Sequence, residues 1–149
     1  MDTRTPMDEA ETVAQASAQA MWANDHASKG LGMTLVRVAP GEAVISMTVR
    51  KDMVNGHGIC HGGFIFALAD SAMAFACNSY GEHAVAQHCA ITFVRPGRRG
   101  ETLTADAVER TRFGRSGIYD VRVCDAAGET VAEFRGHSRT TGGRFFAED

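Results

Sequence analysis

The chain has 149 residues, a net charge of −3 and 22% charged residues, a balance that offers no basic surface for nucleic acid. Its 44% hydrophobic content is that of a globular protein, and the length suits one domain with one core. The first 25 residues carry acids and a tryptophan instead of a basic segment followed by an apolar one, so no secretory leader is expected. Cys60, Cys77, Cys89 and Cys124 show no C-x-x-C spacing. Cys77 and Cys89 lie in apolar segments where a small buried thiol is the default, and a reduced, cytoplasmic protein is the expectation.

In chain order, Thr5-Pro6-Met7-Asp8 reads as a helix start, with a hydroxyl cap, a proline in the first turn and an acid three residues on. Ala10, Val13, Ala14, Ser17, Ala18, Met21 and Trp22 then form one face at helical spacing, and the helix should end within residues 24–29. Val36 and Val38 flank Arg37, and Ile45, Met47 and Val49 alternate with Ser46 and Thr48. With the Pro40-Gly41 turn between them, these two runs predict a hairpin. Residues 50–60 read as a loop in which Gly56 and Gly58 permit sharp bends.

From Phe64 to Cys77 every residue except Asp70 and Ser71 is apolar or alanine. The run is hydrophobic on all sides rather than striped, which predicts a helix buried all round. At 14 residues it is too short to cross a bilayer. Phe66, Ala67, Met73 and Ala74 are the neighbours of Asp70 at three and four positions, so no cation on this helix can pair with it. Keeping an unpaired carboxylate there is costly.

After this helix, closed around residues 78–81, the pattern is strands only: residues 85–95, 102–113, 117–124 and 130–140, rich in valine, threonine, isoleucine and aromatics. Their separators are short and favour antiparallel neighbours, because a parallel crossover needs a dozen residues or more. The tail after Thr141 is expected to fray. A helix apolar all round cannot be satisfied by one face of a flat sheet. The expectation is therefore an α+β domain whose sheet curls around the helix, with a second subunit covering the remainder.

The segment Asn55-Gly56-His57-Gly58-Ile59-Cys60-His61-Gly62-Gly63, followed by Leu68-Ala69-Asp70-Ser71, resembles the hotdog-fold thioesterases of the phenylacetate pathway, the PaaI type. The likeness continues through Phe93-Val94-Arg95-Pro96-Gly97, Gly117-Ile118-Tyr119-Asp120 and Phe134-Arg135-Gly136, and reaches upstream to Met21-Trp22-Ala23-Asn24-Asp25. It implies a sheet wrapped around the central helix, homodimers that pair into homotetramers, and acyl-CoA substrates, particularly phenylacetyl-CoA or its ring-hydroxylated forms. The family often has threonine after the aspartate where this chain has Ser71, a swap that bears on the acyl pocket. The resemblance also implies that His61 and Asn24 shape the site or position the water, though either residue also reads as an ordinary cap. Gly63 and Ser71 are then expected beside the substrate.

Thioester hydrolysis needs a water or carboxylate to attack the carbonyl carbon, and a donor for the oxygen that becomes an anion. Gly62 and Gly63 open the helix, where free N–H groups and the positive end of the dipole favour negative charge. Asp70 would activate water or attack directly. The two groups are eight residues apart on one helix, roughly 12 Å along its axis, whereas a reacting carbonyl needs both within about 3–3.5 Å. Two antiparallel helices across a twofold axis satisfy this, with Gly62 of one chain facing Asp70 of the other.

Each assignment has a plainer competitor. Asp70 also fits a carboxylate bonded to backbone or to a subunit contact, and Gly62-Gly63 also fits a tight turn packed against a strand. His57, Cys60 and His61 lack a fourth ligand for zinc, and a Cys60–His61 dyad lacks an orienting group, so neither metal nor cofactor is expected. Arg95, Arg98 and Arg99 share one turn, with Arg112 and Arg115 near the next. Guanidinium forks suit the CoA phosphates, and a solvated turn explains them equally. A non-catalytic acyl-CoA-binding module and an acyl-thioester hydratase are the alternative functions on this fold. No membrane partner is expected.

Overall fold

The computed structural model describes residues 3–146. Helix α1 spans Pro6–Asn24. It opens on a reciprocal capping box: the Asp8 N–H donates to the Thr5 hydroxyl at 3.2 Å, and the Thr5 N–H donates to the Asp8 carboxylate at 2.9 Å. Ala14, Ser17 and Ala18 are buried while Ala10 is exposed, so the packed face begins one turn later than its spacing suggests. Trp22 meets Phe75 of the central helix at 5.9 Å between ring centres. The expected end of α1 is a break followed by a second helix. Asp25 ends α1 and its carboxylate caps α2, His26–Gly30, by accepting the Ser28 N–H at 2.9 Å.

Strands β1 (Thr34–Ala39) and β2 (Glu42–Thr48) form the expected hairpin around Pro40-Gly41. The following loop contains a short 3-10 turn at Lys51–Met53 and a bridge between Val54 and Cys60. Helix α3 spans Gly62–Cys77, and β3 (Glu82–Phe93), β4 (Thr102–Phe113), β5 (Ser116–Cys124) and β6 (Thr130–Arg144) complete the chain. All six strands join one antiparallel sheet in the order β1-β2-β4-β5-β6-β3. It curls around α3, which touches every strand.

Alternation puts Ala43, Ile45 and Met47 of β2, Leu103, Ala105 and Ala107 of β4, and Tyr119, Val121 and Val123 of β5 against the helix, all buried. Gly136 on β6 has no side chain because one would collide with Met73 of α3. Polar atoms that enter this core are matched: Glu109 Oε1 accepts the hydroxyls of Tyr119 at 2.8 Å and Tyr80 at 2.9 Å.

Three features bear on the expectations, the last two as corrections. First, the sheet of one chain leaves part of α3 open, the remainder that a second subunit is expected to cover. Ile65, Leu68, Ala69, Ala72, Met73, Phe75, Ala76 and Cys77 are buried, but Phe64, Ala67, Asp70, Ser71 and Ala74 are only half-buried. Their spacing of three and four places them in one stripe along the helix.

Second, the short link after β3 does not make β3 and β4 neighbours, since β3 pairs with β6 at the sheet edge. Eight linking residues reach about 26 Å when extended, which exceeds the roughly 14 Å across three strand spacings. The link is tied down along its path. The Val94 and Arg95 N–H groups donate to Val131 O, Cys60 N–H donates to Gly97 O, and Gly100 N–H donates to Val49 O. It therefore passes beneath the first turn of α3.

Third, the tail does not fray at Thr141. Strand β6 runs to Arg144, the Phe145 N–H donates to Gly81 O at 3.1 Å, and the Phe145 ring lies 4.3 Å from His83. Residues 147–149 lie outside the described residues.

Candidate active site

The first turn of α3 is built by His61. Its backbone caps the helix, and its Nδ1 accepts the Gly63 N–H at 2.9 Å. In the neutral ring this leaves the proton on Nε2. With the Gly63 N–H engaged, the Gly62 N–H is the donor at this helix start that has no acceptor among the described residues.

Gly62 also has a packing reason to lack a side chain, because a Cβ there would stand 2.8 Å from the edge of the Phe93 ring. Glycine thus serves both the plainer reading and the chemical one. Around it lies an open groove of about 540 Å³, lined by Asn55, Ile59, Cys60, Gly62, Ile65, Phe93, Val94, Arg95 and Pro96. The lining is mainly apolar with a guanidinium at its edge, which suits an acyl thioester carried on a charged arm.

Asp70 stands two turns further along α3. It is half-buried, and no hydrogen bond or ion pair reaches it among the described residues. Burial pushes its carboxyl above the ordinary value of 3.8. Its charge in turn helps raise the thiols of Cys77 and Cys89, after the larger effect of their own burial. Ser71 is tied to the rest of the fold: its Oγ is 2.9 Å from Ser28 Oγ, which donates to Asp25 Oδ2 at 2.7 Å. Asn24 is exposed at the end of α1, next to Asp25, in a shallow groove with His83 and Phe145. The structure therefore sets Gly62, Gly63 and His61 at one end of α3. Asp70 and Ser71 sit midway along it, and Asn24 adjoins the Asp25–Ser28 link.

The arginines separate into two groups. Arg95 pairs with Glu129 at 3.3 Å, and exposed Arg98 and Arg99 follow it in the link beneath α3. Arg112 stacks 3.5 Å over Tyr80, and Arg115 donates to Thr140 O at 2.9 Å. These two lie at the far end of β4, so they do not extend the cluster begun by Arg95. Cys60 is buried with its thiol raised by desolvation, which leaves it protonated and a poor nucleophile.

Sequence reasoning missed two features. Ser28 is recognisable as the third residue after a helix-capping aspartate, but its contact with Ser71 depends on how α2 docks on α3. Phe93 over Gly62 depends on where the edge strand ends. The cap itself is testable. His61→Ala should destabilise the protein by about 1 kcal/mol, and His61→Asn should restore most of it. Denaturant unfolding of both variants measures this, and equal losses would show that the cap bond is unimportant.

A model of the thioesterase superfamily matches residues 57–132, which contain both Gly62 and Asp70. The acyl-coenzyme A thioesterase PaaI of Escherichia coli K12 is 47% identical over 132 residues, covering 89% of this chain and 94% of that protein. The structure of the E. coli PaaI protein from the phenylacetic acid degradation operon superposes with a TM-score of 0.88 at 46% identity, covering 90% of this chain and 97% of that one. The smu.793 protein of Streptococcus mutans UA159, solved with acetyl CoA bound, superposes with a TM-score of 0.72 at 27% identity over 75% of this chain and 90% of that one. The family model over residues 57–132, the 47% identity and the superposition over 90% of the chain agree: the chain belongs to the thioesterase superfamily, is of the PaaI type, and is a thioester hydrolase of the hotdog fold.

Proposed function

We propose that this protein hydrolyses acyl-CoA thioesters, with phenylacetyl-CoA and ring-hydroxylated phenylacetyl-CoA as the preferred class, at sites shared between two chains in the cytoplasm. The Gly62 N–H polarises the thioester carbonyl. Asp70 of the facing chain acts as general base, or as nucleophile forming an acyl–aspartyl anhydride. The observation that carries this reading is a donor and a half-buried carboxylate, both without partners among the described residues, held eight residues apart on one helix. Roughly 12 Å along the axis is too far for both to serve one carbonyl from the same chain.

Two features support a partner chain. The half-open stripe of Phe64, Ala67, Asp70, Ser71 and Ala74 is the part of α3 that the sheet leaves uncovered. Strand β3 is a 12-residue edge strand with one row of backbone groups unpaired, and Val85 on it is 54% exposed. Long apolar edges of this kind are usually covered. Dimers then pair into a tetramer. No metal or cofactor takes part in the chemistry.

The substrate's charged arm lies toward the link that carries Arg95, Arg98 and Arg99, since that link passes under the same helix turn as Gly62. Thiol release should be fastest with phenylacetyl-type esters in a panel of straight-chain and aryl acyl-CoAs. Raising ionic strength should increase KM for the CoA ester several-fold more than KM for the matching pantetheine ester, because only the former carries nucleotide phosphates. Equal responses would exclude the arginine role, and a preference for straight-chain esters would exclude the aryl class.

A further inference from the structure

Ser28 is 2% exposed and its hydroxyl stands between two oxygens, Asp25 Oδ2 at 2.7 Å and Ser71 Oγ at 2.9 Å. Asp25 Oδ1 meanwhile accepts the Ser28 N–H at 2.9 Å. A carboxylate can only accept, so the single Ser28 hydroxyl proton lies toward Asp25. The proton between the two serines must then come from Ser71. The chain has one direction: Ser71 donates to Ser28, and Ser28 donates to Asp25. Ser71 is left with lone pairs alone to offer its other side, which is half-open and directly follows Asp70 on α3.

We propose that Asp25 and Ser28 are positioning residues for hydrolysis, fixing Ser71 as a hydrogen-bond acceptor for the water that Asp70 activates. This rests on the reading of Asp70 as the group that acts on water. One O–H of that water is held by Ser71 Oγ, and the proton of the other passes to the Asp70 carboxylate as the oxygen bonds to the thioester carbon. Collapse of the tetrahedral intermediate breaks the C–S bond, and the departing thiolate takes the proton held by Asp70, which leaves the free acid, the thiol and the Asp70 carboxylate. Ser71 could not serve if its proton pointed at the water. The half-buried carboxylate of Asp25, two serines away, prevents that.

The direction of the chain can be reversed without changing its shape. In Asp25→Asn, Oδ1 still accepts the Ser28 N–H, so Nδ2 faces Ser28 Oγ and donates to it. Ser28 must then donate to Ser71, and the Ser71 proton turns outward. The expected result is a fall in kcat of about tenfold, the worth of one hydrogen bond to the reacting water. KM should stay within twofold. Ser71→Ala should lower kcat similarly, and Asp25→Asn combined with Ser71→Ala should be no slower than Ser71→Ala alone, because Asp25 then has nothing to act through.

Multiplying losses in the double variant, or an unchanged kcat in Asp25→Asn, would overturn the proposal. Should Asp25→Asn fail to fold, Ser28→Ala removes the hydroxyl while keeping the backbone cap and must give the same non-additive pattern. The two readings fail differently. Activity surviving in Asp70→Asn removes the parent reading, whereas an inactive Asp70→Asn beside silent Asp25→Asn and Ser28→Ala removes only the positioning role.

Discussion

Replacing Asp70 by asparagine is expected to lower kcat by about 10²–10⁴-fold, the usual contribution of a positioned base, while leaving the protein more stable at neutral pH. Both halves follow from the same burial. Desolvation raises the Asp70 carboxyl above its ordinary value of 3.8, so the folded chain holds that proton more tightly than the unfolded chain does. Between the ordinary value and the raised one the folded state binds more protons. Stability is therefore lost as pH rises through that window and stays lower above it. The amide carries no charge and avoids this cost.

Thermal unfolding should show a higher Tm for Asp70→Asn than for the wild type at pH 7, with the gap closing as pH falls below the ordinary carboxylate range. The wild-type kcat/KM should fall on the acid side at a pH displaced upward from that range, since a protonated Asp70 cannot take the water's proton. A variant that stays active, or one less stable at pH 7, would show that Asp70 is a structural carboxylate.

The central helix was legible because its composition leaves it no other place: residues 64–77 have almost nothing to offer water, so the sheet must wrap them. The hairpin at Pro40-Gly41 and the strands 102–113 and 117–124 were legible from alternation and turn chemistry. The position of β3 was not. Short links join sheet neighbours when the chain reverses on the spot, but the 94–101 link instead runs across the curled sheet, held by Val131, Cys60 and Val49. The order in the tail is not legible for a related reason, because it comes from Gly81, Glu82 and His83, far away in sequence.

Within the site, residue type and helical spacing led to Gly62 and Asp70. Two further facts needed coordinates: the His61 side chain engages Gly63 and leaves Gly62 as the free donor, and the ring over Gly62 belongs to Phe93. The Asp25–Ser28–Ser71 chain was out of reach because it joins two helices that no local pattern connects. Sequence proximity alone links Arg112 with Arg95, yet Arg112 stacks on Tyr80 at the opposite end of β4.

Sharing of the site between chains is tested most directly by mixing two inactive subunits. One carries Asp70→Asn. The other carries Gly62→Pro, which removes the donor N–H, together with Phe93→Ala, because the new ring atoms would otherwise strike Phe93. Each homodimer alone should be inactive. After co-refolding, statistical pairing makes half the dimers mixed, and each mixed dimer holds one intact site. Recovery of about a quarter of wild-type activity is therefore expected. Purified mixed dimers that remain as inactive as the parents would contradict the account, because they would show that each chain must supply both the donor and the carboxylate to its own substrate.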